Sequence, residues 1–191
     1  MHRIHSIMLL LACSAVMVFA GCSGNAARVD YNKKLKTAFS QLEKGDPERA
    51  AENLEQARQI AQENGYDQTE VDRLNVEANM GIGNNVDAYA QAKALLDANP
   101  EDPFANELMG KILLKEGQYS QAEKHFITAQ EAYESKIDLA RAADLLAMSR
   151  YFAAYEHGNP RLAESYLHEI KDADLQHALD KARKDVVAKG Y

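Results

Sequence analysis

Tryptophan is absent and cysteine nearly so: the 191-residue chain holds two Cys, four Pro and ten Gly. So few cysteines exclude a disulfide-built scaffold. Ten glycines without a fixed period exclude a collagen-like chain, and four prolines exclude a proline-rich spacer. A cationic surplus is missing too, since 22 Lys and Arg face 29 Asp and Glu for a net charge of −7. An acidic chain repels phosphate backbones, so nucleic acid is not an expected partner. Alternating β-branched runs are lacking, which removes the strand signal. Long apolar runs are reduced to one, Ile7–Ala20, whose 14 residues carry no charge. A helix needs about 20 such residues to cross a bilayer.

What is present begins with that run. Arg3 lies before it and the small residues Ala20 and Gly21 close it, the order of a secretory signal. Its end reads Phe19-Ala20-Gly21-Cys22-Ser23. This resembles the bacterial lipoprotein signal, in which a short box of apolar and small residues precedes an invariant cysteine. The resemblance implies that Cys22 becomes the mature N-terminus and carries acyl chains. Two or more such chains anchor a protein stably to a membrane where one does not. Ser23 in place of Asp implies sorting to an outer membrane, facing the periplasm. A plain secretory signal or an uncleaved anchor is the alternative. From Cys22 onward no further cysteine occurs.

The rest of the chain repeats. Phe39, Glu43, Gly45, Pro47 and Ala50 recur in register as Phe152, Glu156, Gly158, Pro160 and Ala163, 113 residues on. Two more copies lie between, at Gly83 to Ala88 and Gly117 to Ala122, so the turn glycines are spaced by 38, 34 and 41 residues. Each copy reads as two helices about its glycine. Ala105, Leu108, Met109 and Ile112 precede Gly117 at helical spacing; Ala122, Phe126, Ala129 and Tyr133 follow it. Asp46-Pro47, Asp102-Pro103 and Asn159-Pro160 each predict a helix opened by an oxygen cap and a proline. Ser120 and Glu123 predict a capping box. Residues 174–189 form one more amphipathic segment, with Asp174 as its start and Leu175, Ala178, Leu179, Ala182, Val186 and Val187 along one side.

These residues resemble the tetratricopeptide repeat family. In the third repeat Gly110 stands at the small site of the first helix, Gly117 and Tyr119 occupy the turn, and Ala122, Phe126 and Ala129 supply the packing positions of the second helix. Ala50, Ala88 and Ala163 match Ala122 in the other repeats. The resemblance implies an all-α, right-handed superhelical solenoid of about four helix pairs plus a C-terminal capping helix. The expected layout is a signal peptide over 1–21, a lipidated tether over 22–30, four repeats over 31–173 and the capping helix over 174–191. One helix pair cannot bury its apolar face alone, whereas stacked neighbours can.

The resemblance also implies a concave groove lined by the first helix of each repeat, which nominates Arg73, Glu77, Glu107, Lys111 and Lys115 as partner-binding residues. Both signs occur among them, and solvated helix faces are the plainer reading of all five. Reversing Arg73 and Lys111 to Glu is expected to leave stability nearly unchanged. Carboxylates read as helix exteriors with nothing to perturb them. Glu164 and His168 are four apart on a helix, yet no HExxH, GxSxG or phosphate loop accompanies them, so neither catalysis, a metal nor a cofactor is expected. The sequence reads as a membrane-anchored adaptor in the periplasm that holds a protein or peptide partner, of the kind that assists pilus, secretion or outer-membrane assembly. A regulator of cell-wall enzymes and a self-associating spacer are the alternatives.

Overall fold

The computed structural model describes residues 25–177, 179 and 180. Cys22 and Ser23, the signal segment and the basic C-terminal residues 181–191 lie outside them. The described residues fold into helices joined by short turns, with no strand among them. The helices are α1 (25–43), α2 (Pro47–Asn64), α3 (Thr69–Ile82), α4 (Asn85–Ala98), α5 (Pro103–Lys115), α6 (Tyr119–Ala132), α7 (Lys136–Glu156) and α8 (Pro160–Leu167), followed by α9, which begins at 173. Successive pairing of these helices is the all-α, tetratricopeptide-like arrangement expected from the repeat. None of the described helices is long and apolar enough to cross a membrane.

The helix starts follow the sequence. Asp46, Asp102 and Asn159 accept hydrogen bonds from the backbone N–H groups of Arg49, Ala105 and Leu162, at 3.4, 2.9 and 3.2 Å, with proline at the first helical position each time. Gly45 and Gly117, at φ +72° and +75°, turn one helix into the next through the left-handed region that side chains disfavour. Three local expectations are corrected. Ser120 and Glu123 form no capping box: the cap position of α6 falls two residues earlier, at Gln118, and Glu123 accepts instead from Arg150 Nε at 2.8 Å. The cap of α9 is Asp172 and not Asp174, since Asp172 Oδ1 accepts from Leu175 N at 2.8 Å. The expected tether over 22–30 is already helical from residue 25.

The chain divides at Gly83–Asn84 into two compact units, and the division falls at the turn glycine of the second repeat. In the N-terminal unit, Tyr31 and Ala38 of α1, Ala50, Leu54, Ala57 and Ala61 of α2, and Val71, Leu74 and Ala78 of α3 form the core. Tyr31 Oη donates to the Asp67 carbonyl at 2.8 Å, and the Arg28 guanidinium lies 3.8 Å from the centre of the Tyr66 ring. That stacking gives the first turns of α1 a role in packing.

In the C-terminal unit the helices pack in sequence from α4 to α8, and α5 also touches α7. Small residues set the close approaches: Ala88, Ala122, Ala129 and Ala163 are fully buried, as Ala50 is in the other unit. Gly110 of α5 faces the ring of Phe126 of α6. Tyr119 stacks on Phe152, with ring centres 5.3 Å apart. Beyond α8, Ile170 and Leu179 are buried against Ala147, Tyr151, Ala154 and Ala163, so the described part of the last segment does cover apolar surface.

Candidate partner-binding site

Helical spacing places Phe104, Glu107 and Lys111 along one side of α5 and Ile137, Arg141, Asp144 and Leu145 along one side of α7. Where these sides meet the start of α9 there is an open cavity of about 380 Å³, lined by Lys111, Arg141, Asp144, Leu145, Asp172, Asp174 and Leu175. Phe104 and Ile137 are exposed on the same two helices.

Glu107 organises this wall. Although only 3% exposed, it is charged and fully engaged. Lys111 Nζ lies 2.6 Å from its Oε1, Arg141 donates through Nε at 3.0 Å and through Nη2 at 2.9 Å, and Tyr133 Oη donates at 2.7 Å. Arg141 also pairs with Asp138 at 2.9 Å. Burial alone would raise the Glu107 pKa, but the charge of Lys111 and the hydrogen bonds from Arg141, Lys111 and Tyr133 outweigh it and hold the carboxyl below its ordinary value. Burial, and then the bond to Glu107, push the Tyr133 hydroxyl up. Burial works against the Arg141 cation, yet Glu107 raises its pKa. The expectation that every carboxylate is an unperturbed exterior group is therefore corrected at Glu107. So is the expectation that Lys111→Glu is harmless, because it would set a second carboxylate against a buried one.

Asp144 is the next anchor. Its two oxygens accept from the backbone N–H groups of Lys171 and Asp172, at 2.7 and 3.0 Å, and fix the segment leading into α9 against α7. Behind the wall, His125 Nδ1 lies 2.9 Å from Asn106 Oδ1, and Asn106 Nδ2 donates to the carbonyls of Pro100 and Asp102. Burial lowers the His125 pKa.

The five nominated groove residues separate. Glu107 and Lys111 meet in the wall just described. Lys115, on the same helix, bonds to Asn85 Oδ1 at 3.1 Å, away from the cavity. Arg73 and Glu77 belong to the N-terminal unit, where Arg73 lies 3.6 Å from Glu70. Glu77 lines a separate cavity of about 290 Å³ with Phe39, Leu42, Glu43, Gly45, Pro47 and Gly81. Sequence reasoning missed Arg141, Tyr133, Asp144 and Asp172. Among the described residues, no three His, Cys, Asp or Glu side chains cluster in a way that could hold a metal.

No family model and no curated protein matches the chain. Among solved structures it is similar to "MamA RS-1 ArsTM double mutant", with 18% sequence identity, a TM-score of 0.50, and coverage of 80% of this chain and 97% of that one. MamA contains tetratricopeptide repeats. The fold is tetratricopeptide-like. At this level of identity the likeness bears on architecture alone, and the chemistry of the wall has to be read from its own residues.

Proposed function

We propose that the chain is a non-catalytic adaptor, held at a bacterial envelope membrane by acyl chains on Cys22, that holds a segment of a protein partner against the α5–α7 face. The open cavity on that face carries the reading, because its apolar floor and charged walls stand on helices whose packing is already satisfied elsewhere. The anchor rests on the sequence Phe19–Ser23 and its resemblance to the lipoprotein signal. Tethering raises the local concentration of binding sites beside the membrane, which is sufficient for an adaptor in pilus, secretion or outer-membrane assembly.

Cys22→Ser is expected to abolish labelling by radioactive palmitate and to move the chain out of the membrane fraction; unchanged labelling overturns the anchor. For the groove, crosslinking in native membranes followed by mass spectrometry should give partner peptides joined to α5, α7 or the start of α9. Those products should disappear in Leu175→Trp, which fills the cavity. Crosslinks that persist with the cavity filled would place the partner elsewhere.

A further inference from the structure

The charges around the C-terminal cavity are unevenly committed. Lys111 and Arg141 are matched by Glu107 and Asp138 at 2.6 to 2.9 Å, so the two cations are spent within the wall. Asp144 and Asp172 engage backbone N–H groups only, and no lysine, arginine or histidine pairs with Asp144, Asp172 or Asp174 among the described residues. Asp172 and Asp174 are exposed. Among the described residues, three carboxylates thus stand around an apolar floor of Leu145 and Leu175 with no cation paired to them.

Deepening the adaptor reading, on which it rests, we propose that the α5–α7–α9 cavity takes a cationic amphipathic segment of a protein partner. Lysine or arginine side chains face Asp144, Asp172 and Asp174, and an apolar side chain between them lies on Leu145 and Leu175. An anionic segment, or an anionic lipid surface, would meet three carboxylates and find the nearby cations already paired.

The test uses the full chain in a nonionic detergent and a labelled, amidated heptapeptide, Lys-Leu-Lys-Ala-Lys-Leu-Lys, followed by fluorescence anisotropy. A counterpart with glutamate in place of each lysine is the control. Asp172→Asn with Asp174→Asn keeps an oxygen to cap α9 and should melt like the parent. The double variant is expected to bind the lysine peptide at least about tenfold more weakly. A comparable loss is expected for the parent between about 50 and about 300 mM salt. The glutamate peptide should show no saturable binding. Equal affinity of parent and double variant overturns the proposal. A glutamate peptide that binds, and is lost in Leu175→Trp, keeps the groove and overturns its charge assignment. A lysine peptide indifferent to Leu175→Trp overturns the groove reading as well. A gain of about tenfold on removing residues 181–191 would reassign the cavity to the chain's own basic C-terminal segment.

Discussion

Glu107→Ala is expected to lower the unfolding free energy by about 2–4 kcal/mol. The carboxylate accepts from Lys111, Arg141 and Tyr133 at once, so its removal leaves two cations and a hydroxyl facing a void. Stranded buried charges cost about 3–5 kcal/mol. Here the side chains of Lys111 and Arg141 are 27% and 41% exposed and can turn toward water, which lowers the expected loss. Glu107→Gln, which retains an acceptor for Tyr133, should lose less. The pH dependence has a definite sign. The folded carboxyl titrates below its ordinary value, so its contribution is complete above the unfolded value of about 4.3 and is lost as pH falls through the folded one. Urea melts of parent and Glu107→Ala should therefore differ fully at neutral pH and converge in acid. Equal midpoints at neutral pH would show that the cluster contributes nothing.

Gly110→Ala is expected to destabilise by about 1–3 kcal/mol, although alanine is the better helix former by about 1 kcal/mol. A Cβ on Gly110 would lie 2.5 to 2.8 Å from three ring atoms of Phe126. That ring is fully buried and has no room to withdraw, so α5 and α6 must separate. Phe126→Leu, itself destabilising, should relieve the clash. The double variant should then lose less than the two single losses combined, the mark of residues in contact. Thermal melts of all four proteins decide it: a Gly110→Ala protein more stable than the parent would show that nothing presses on that glycine.

Features with local causes were legible in the sequence. Proline after an oxygen cap marked α2, α5 and α8, and glycine marked their turns, because both act through the backbone of one or two residues. The small sites Ala50, Ala88, Ala122 and Ala163 were legible because they recur with the repeat, and Gly110 through the family resemblance of the third repeat. The wall of the cavity was not. Glu107 and Lys111 are four apart, which reads equally well as a solvated pair, while Tyr133 and Arg141 arrive from 26 and 34 residues away. Glu123 misled for the same reason, since its partner Arg150 outcompetes the local cap from 27 residues off. Asp172 and Asp174 are both plausible helix starts, and only the position of the Leu175 N–H chooses between them.

A carboxylate that bonds to α5, α7 and the end of α6 together also sets a distance. Methyl groups packed on methyl groups tolerate sliding, but three directional bonds sharing one atom pair do not. The gap between α5 and α7 is thus a fixed gauge, so any segment held there under the adaptor proposal would have to match a width set in advance.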